Sequence, residues 1–216
     1  MSASTSAARI HWNEVYDTKG AEGVSWYQPE PLVSLELIDT LDLDPARPVI
    51  DVGGGASMLV DHLLERGHTD ITVLDVSDRA LRVAQHRLGD RGRQVQWHAA
   101  NLLHWAPQRR FALWHDRGVY HFLIDPDEQA RYRQLTTAGV APGGYLIVAT
   151  FAADGPDHCS GLPVARHWPE DLAGQFGDGF TAVTTRHERH QTPAGIEQPF
   201  TWLLARRTEP TSHGRP

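Results

Sequence analysis

The sequence has little sulfur and no cluster of positive charge. A single cysteine among 216 residues cannot form an internal disulfide, which favours a reduced compartment, so we expect a cytoplasmic protein. The formal net charge is −7, and this balance argues against a nucleic-acid partner because phosphate binding requires clustered cations. No apolar run approaches the roughly 18–20 residues of a membrane helix, and the N-terminus lacks the apolar segment of a signal peptide. We therefore expect neither nucleic acid nor a membrane as partner.

What the sequence has instead is an alternation of short apolar runs with helical patterns. Its length suits a single domain. Strand-like runs occur at residues 49–52, 70–76, 94–98, 111–116, 143–151, 180–189 and 198–207. Helical patterns follow the first, second, fourth and fifth runs, which predicts a mostly parallel sheet with helices on both faces. A ligand of such an α/β fold binds at the carboxyl ends of the strands.

A glycine-rich turn, "DVGGGAS", follows the first predicted strand and opens a helix. Gly53 and Gly55 supply the first two glycines of a dinucleotide fingerprint, but Met58 occupies the third position, which disfavours NAD. Asp51 would repel a pyrophosphate and attract a ligand that carries an amino group. The turn therefore favours S-adenosylmethionine over NAD, and a tight strand–helix turn without a ligand is the structural alternative.

Polar residues follow the next two strands as well. The second strand ends in Asp75, whose carboxylate is placed to accept both hydroxyls of a ribose. Asn101 follows the third strand and is a candidate partner for an adenine amino group, with Leu102 packing on the ring. A lone asparagine is more often a plain loop residue, so the adenine contact depends on its occurring in series with the other cofactor residues.

Four segments, "VIDVGGGAS", "VLDVS", "NLLHW" and "APGGYLIVATF", resemble motifs of the class I S-adenosylmethionine-dependent methyltransferases. The resemblance covers about residues 45–151. It implies an α/β, Rossmann-like sheet of seven strands, mostly parallel, in the order 3-2-1-4-5-7-6, with the last strand inserted antiparallel. Ser57 and Asn101 stand where the family has glycine and often aspartate. The implied cofactor contacts are Trp26, Asp51, Gly53, Gly55, Ser57, Asp75, Val76, Asn101 and Leu102.

The same resemblance divides the chain into segments. Residues 1–44 contain "WNEVYDTKGAEGVSWYQPEP", which is similar to the N-terminal segment of small thiol methyltransferases and implies aromatic-rich cap helices over the cofactor. A core-packing N-terminal helix is the alternative interpretation. Residues 45–208 would form the methyltransferase domain. The first ten residues and residues 209–216 are small or polar, so we expect both to fray.

The methyl acceptor is less legible than the cofactor. "DRG" at residues 116–118 resembles the corresponding stretch of thiopurine and other thiol S-methyltransferases, and the Asn/Asp-Pro-Pro-aromatic motif of amide and adenine N-methyltransferases is missing there. The leading hypothesis is S-methylation of a small-molecule thiol by a monomer or homodimer. N-methylation of a small amine or of a protein lysine is the alternative. A catalytically silent cofactor-binding module is disfavoured by the intact glycine turn and Asp75.

Four polar residues near the expected methyl site form a candidate zinc set: Asp116, His121, Cys159 and His190. Zinc would turn a thiol acceptor into a thiolate, although no short ligand spacing supports the site. Without a metal, His115 or His121 would act as general base, oriented by Asp116. Surface histidines and a small buried cysteine are the alternatives for these residues.

Overall fold

A computed structural model describes residues 3–208. Its main sheet contains seven strands: β1 (Val49–Val52), β2 (Ile71–Asp75), β3 (Val95–Ala99), β4 (Phe111–Arg117), β5 (Val140–Phe151), β8 (Phe180–Gln191) and β9 (Glu197–Arg207). Two short strands, β6 (His158–Cys159) and β7 (Leu162–Pro163), form a separate hairpin after β5. The sequence did not predict this hairpin, because two-residue strands carry no hydrophobic period.

The strand order in the sheet is β3-β2-β1-β4-β5-β9-β8. Strands β1 to β5 run parallel to their neighbours, and β9 lies antiparallel between β5 and β8. Since β8 and β9 are the sixth and seventh strands of this sheet in chain order, the predicted order 3-2-1-4-5-7-6 is confirmed. The parallel strands bring all their carboxyl ends to one edge.

Six helices surround the sheet: α1 (Ala3–Lys19), α2 (Leu32–Asp39), α3 (Leu59–Glu65), α4 (Asp78–Leu88), α5 (Pro126–Gly139) and α6 (Pro169–Gln175). Their starts follow local chemistry. Ser77 caps α4 by accepting a hydrogen bond from the Ala80 amide, and Asp125 caps α5 in the same way, with proline in its first position. Short 3-10 helices at Leu102–His104 and Tyr120–Phe122 follow β3 and β4.

Two apolar cores fill the space between sheet and helices, one on each face. Val49 of β1 joins the core formed with α2, α3 and α4, whereas Ile50 and Val52 join the core formed with α5 and α6. All four residues of β1 are buried, as expected for a central parallel strand covered on both faces. The two cores cover the faces of the sheet, and a ligand of such a fold binds at the carboxyl edge.

Helix α1 begins at Ala3, so the prediction of fraying is wrong for residues 3–10, and residues 1–2 lie outside the described residues. The helix is held because Asn13 bonds to the start of α4: its Nδ2 donates to Asp78 Oδ1 at 2.9 Å and its Oδ1 accepts from Ser77 Oγ at 2.7 Å. The predicted limits at residues 44 and 45 remain predictions, and the tail 209–216 lies outside the described residues. Within residues 3–208, no helix has the length and apolar character needed to cross a membrane.

Candidate active site

A cavity of about 570 Å³ opens at the carboxyl edge of the sheet. Its floor is formed by residues at or just beyond the ends of four parallel strands: Gly53, Asp75, Asn101 and Arg117. Helix α1 covers the cavity with Trp12 and Tyr16 among its wall residues. This is the position at which α/β sheets bind their ligands.

The glycine turn has the backbone that its sequence predicts. Gly53 and Gly55 have φ angles of +68° and +46°, a region that side chains disfavour. A Cβ on Gly53 would collide with the Val119 side chain, and one on Gly55 would lie 2.8 Å from the Tyr16 hydroxyl. Both positions therefore require glycine for conformation and for space. Met58, at the third fingerprint position, precedes the first residue of α3.

Asp75 ends β2 and faces the cavity. Its Oδ1 accepts from the Ser77 amide at 2.7 Å. Burial, with a smaller contribution from the nearby charge of Asp51, raises the pKa of Asp75 to about 7. The carboxyl group is thus held in place with capacity to accept further hydrogen bonds, which suits the paired hydroxyls of a ribose.

The other predicted adenosine contacts also reach the cavity. Val76, Asn101 and Leu102 line it. The Asn101 side-chain oxygen already accepts from the Leu103 amide at 2.9 Å and so caps the 3-10 helix after β3. Any contact of Asn101 with an adenine must share that oxygen or use the amide nitrogen.

Two predicted cofactor residues lie behind the turn. Asp51 and Ser57 line a smaller cavity of about 40 Å³, which shares Trp26 and Gly53 with the large one. Asp51 Oδ1 lies 2.8 Å from His115 Nδ1, and its Oδ2 is buried without a hydrogen-bond partner. Ser57 Oγ accepts from the Leu59 amide at 3.1 Å and so supports the start of α3.

The far end of the large cavity is aromatic and contains one cation. We call it the reacting end and define it by Trp26, Arg117, His121, Phe151, Cys159 and Phe200. The Arg117 guanidinium lies 4.8 Å from the centre of the Phe200 ring, and its Nη1 donates to the Trp26 carbonyl at 2.8 Å. Its Nε and Nη2 are buried without partners. Burial lowers the pKa of Arg117, yet an arginine keeps its charge at neutral pH.

His121 presents a second unpaired donor. The ring is 2% exposed, and its Nδ1 accepts from the Phe151 amide at 3.3 Å. Burial, assisted by the charge of Arg117, lowers the pKa of His121 to about 3. The ring is therefore neutral with its proton on Nε2, and that Nε2–H is buried without a partner. His121 is a hydrogen-bond donor here and does not serve as the general base that the sequence predicted.

The structure does not bring His115 and Asp116 to the cavity. Neighbouring residues of a strand point to opposite faces. His115 is bonded to Asp51 and Ser34. Asp116 accepts from the Tyr120 amide at 3.1 Å and from the Tyr132 hydroxyl at 2.6 Å. Asp116 therefore orients neither predicted base, and the prediction of that pair is corrected.

The predicted zinc set is not supported. Both nitrogens of His190 are engaged, with Ser25 and Gln28. Burial raises the pKa of Cys159 to about 11, so the thiol is protonated at neutral pH when no metal is bound. Across residues 3–208, no group of three His, Cys, Asp or Glu side chains is arranged to hold a metal. The donors present do not fit zinc.

Sequence reasoning overlooked Arg117, although it stands in the quoted "DRG" stretch. The signal was available, because a cation at the end of β4 faces the site in any fold of this type. Phe151 and Phe200 were also missed as wall residues. They meet because β5 and β9 pair in register at these two positions, which no local pattern reveals.

Part of the chain matches a known protein family and a curated protein. The family model of the methyltransferase domain matches residues 49–144. The eEF1A lysine and N-terminal methyltransferase of Mus musculus is 23% identical over 128 residues. That region is 58% of this chain but only 18% of the mouse protein, so this chain spans less than a fifth of its length.

Solved structures resemble the whole fold. One, from a study of the conversion of a disulfide bond into a thioacetal group during echinomycin biosynthesis, has a TM-score of 0.73 and 19% identity and covers 94% of both chains. The 1,6-didemethyltoxoflavin-N1-methyltransferase of Burkholderia thailandensis, solved with S-adenosylhomocysteine, has a TM-score of 0.66 and 22% identity and covers 96% of this chain and 87% of its own. At these identities the likeness shows the fold. Residues 49–144 match a methyltransferase domain, and the strand order is the one that the resemblance to the class I S-adenosylmethionine-dependent methyltransferases implies.

Proposed function

We propose that this enzyme methylates the sulfur of a small-molecule thiol. The observation that carries the proposal is the set of unpaired donors at the reacting end: Arg117 Nε and Nη2, and His121 Nε2–H. Buried donors without partners are costly unless a ligand satisfies them. A cation beside neutral donors suits an anion, and a thiolate is the anionic form of a thiol.

The cofactor half of the cavity fits S-adenosylmethionine. Asp75 offers a carboxylate for the ribose hydroxyls, and Gly53 removes the side chain that would block a close approach. Val76 and Leu102 flank the same region. When bound, S-adenosylmethionine supplies an electrophilic methyl group, so the acceptor needs a lone pair and correct alignment.

Arg117 addresses the acceptor's protonation. A free thiol has a pKa of about 8.5 and its thiolate is the nucleophile. The guanidinium charge favours the thiolate form of a thiol that lies beside it. Burial acts in the opposite direction, as at Cys159, whose pKa burial raises to about 11 although the charge of Arg117 lowers it, so the proposal requires direct hydrogen bonds from Arg117 to the acceptor sulfur. The aromatic wall of Trp26, Phe151 and Phe200 keeps water from the anion and strengthens its attraction to Arg117.

The second candidate is N-methylation of an amine. The names of two similar proteins favour it: one methylates a lysine and an N-terminus, and the other is an N1-methyltransferase. The charge of Arg117 opposes it, since a protonated amine would be repelled. The acidic residues of the large cavity are Asp75 on β2 and the pair Asp127 and Glu128. That pair belongs to α5, which packs on the 3-10 helix after β3, the side assigned to adenine.

The test is a comparison of Arg117 variants with a panel of small thiols and amines, following S-adenosylhomocysteine. We expect Arg117→Met to lower kcat/KM for the best thiol by about 10- to 100-fold, the loss of one charged hydrogen-bonding partner. Arg117→Lys should retain part of the rate because it keeps the charge. Arg93→Gln, on a side chain that is 85% exposed, is the control.

The proposal also places the reaction in the cytoplasm, where an unpaired cysteine stays reduced.

Two results would overturn the proposal. One is turnover with amines and none with thiols. The other is a thiol rate that Arg117→Met leaves unchanged while S-adenosylhomocysteine still binds, because the charge would then play no part in activating the acceptor.

A further inference from the structure

A buried hydrogen-bonded chain of three side chains lies behind the glycine turn. Ser34 comes from α2, Asp51 from β1 and His115 from β4, and each is at most 3% exposed. His115 Nε2 lies 2.9 Å from Ser34 Oγ, and His115 Nδ1 lies 2.8 Å from Asp51 Oδ1. Asp51 and His115 are register partners on the paired strands β1 and β4, so their side chains share one face.

The direction of the bonds follows from the groups involved. A carboxylate only accepts, so His115 Nδ1 is the donor to Asp51. In the neutral ring, Nε2 then accepts from the Ser34 hydroxyl. Asp51 thereby fixes the tautomer of the neutral His115 ring, and the Ser34 hydroxyl, which can donate or accept, completes the chain by donating to Nε2.

The residue types are those of a hydrolytic triad, but the surroundings exclude that use. Ser34 is 1% exposed. The adjoining cavity measures about 40 Å³, which is near the volume of a single water molecule and far below that of a bound acyl substrate. A nucleophile at Ser34 would have nothing to attack, so the chain acts on Asp51.

Asp51 has one carboxylate oxygen without a hydrogen-bond partner at the glycine turn. Its Oδ2 is buried without a partner and lies under Gly54, close enough that a Cβ there would come within 2.5 Å of it. The small cavity beside Asp51 shares Tyr16, Trp26 and Gly53 with the large cavity. A buried carboxylate oxygen without a donor attracts a cation.

We propose that Ser34 and His115 are positioning residues that hold Asp51 as the counter-ion for the ammonium group of S-adenosylmethionine. The inference rests on the use of this cofactor and not on a thiol acceptor. His115 fixes one carboxylate oxygen, and the other remains available at the turn where the amino-acid part of the cofactor needs a negative charge. Without the hydrogen bonds of His115 and Ser34, Asp51 has two unpaired oxygens and no fixed orientation.

The experiment compares two ligands by calorimetry. S-adenosylhomocysteine carries the amino-acid part, whereas 5′-methylthioadenosine lacks it and keeps the nucleoside. We expect His115→Phe to weaken S-adenosylhomocysteine by at least about tenfold, the loss of a charged hydrogen-bond partner, and to change 5′-methylthioadenosine less than about twofold. His115→Asn puts an amide N–H near the position of Nδ1 and should restore most of the affinity that His115→Phe loses.

Ser34→Ala provides a second variant, smaller in volume change, that should weaken S-adenosylhomocysteine in the same direction and by less. It also serves if His115→Phe fails to fold. Equal weakening of both ligands would overturn the inference, since a general defect of the pocket would then explain it. Unchanged binding of both ligands by folded variants would also overturn it. Neither result depends on the acceptor, so a failure of thiol turnover is read separately.

Discussion

Asp75 is the residue through which pH would act on the proposed binding of S-adenosylmethionine. Its pKa of about 7 lies far above the ordinary value for an aspartate because the carboxyl is buried. A raised folded pKa means that ionising this group costs the free protein stability as pH rises from about 4 to 7. The cost is offset when ribose hydroxyls donate to the carboxylate.

We therefore predict that S-adenosylhomocysteine binds more tightly as pH rises through 7. Affinity should fall by about tenfold for each pH unit below the pKa of Asp75, because the proton must leave before both hydroxyls are accepted. Calorimetry between pH 5.5 and 8.5 measures the effect. Asp75→Asn should bind weakly with a flat profile, and a steep profile in that variant would assign the titration to another group, such as Asp116, whose pKa burial raises to about 6.

Cys159 is the residue whose role changes most with the structure. It lines the cavity and also belongs to an apolar core, and its thiol is protonated because burial raises its pKa to about 11. A protonated thiol in an apolar wall is a small hydrophobe and not a nucleophile.

Cys159→Ala is accordingly predicted to keep thiol turnover within a few-fold of the wild type. Cys159→Phe should fill the reacting end, suppress turnover and leave S-adenosylhomocysteine binding nearly unchanged. Both are measured by steady-state rates together with calorimetry. Abolished turnover in Cys159→Ala, with the cofactor still bound, would make the sulfur a participant in the chemistry.

At the scale of elements, the alternation of side chains along β4 divides its residues between the two faces of the sheet. His115 and Arg117 point to one face, to the glycine turn and the reacting end, while Trp114 and Asp116 point to the other face and the α5–α6 core. The sequence analysis grouped His115 and Asp116 as base and orienter because they are adjacent in the chain. Residues that are adjacent in a strand point to opposite faces of the sheet, so these two side chains lie on different sides of it.

Asp116 is instead a structural anchor between β4 and α5. The Tyr132 hydroxyl donates to it at 2.6 Å inside the core. We predict that Tyr132→Phe lowers the free energy of unfolding by about 1–3 kcal/mol, the cost of removing one of the two donors to a buried carboxylate oxygen, which then keeps only the Tyr120 amide. Urea denaturation measures it, with Tyr145→Phe on the half-buried face of β5 as the control. An unchanged midpoint in Tyr132→Phe would show that the bond contributes nothing to stability.

At the scale of the whole molecule, long-range pairing decides which residues share the site. The sheet order could be predicted only from the resemblance to the class I methyltransferases, since the alternation of strands and helices by itself predicts a mostly parallel sheet without its order. That Gly53, Asp75 and Asn101 line one cavity could be predicted, because these residues lie directly at strand ends; their roles towards a cofactor stay predictions. The reacting end could be predicted only in part: the sequence pointed to His121 and Cys159, but no local pattern brings Arg117 of β4 to Phe200 of β9.

The N-terminal helix forms part of the wall of the large cavity. Trp12 of α1 makes edge-on contacts with Trp26 at 5.8 Å and with Phe122 at 5.0 Å between ring centres. Together with the bonds of Asn13 to the start of α4, these contacts hold α1 across the carboxyl edge. The interpretation of residues 1–44 as a cover over the cofactor agrees with this placement, while its boundary stays a prediction.

The most direct test of the central claim is a matched set of acceptors that differ in one atom: thiophenol, phenol and aniline, offered with methyl-labelled S-adenosylmethionine in buffer freed of metal ions. The account predicts a labelled thioether as the main product, with kcat/KM for the thiol at least about tenfold above that for the amine, because Arg117 favours an anionic acceptor. Label found mainly in the amine, or a thiol reaction that requires added zinc, would contradict it.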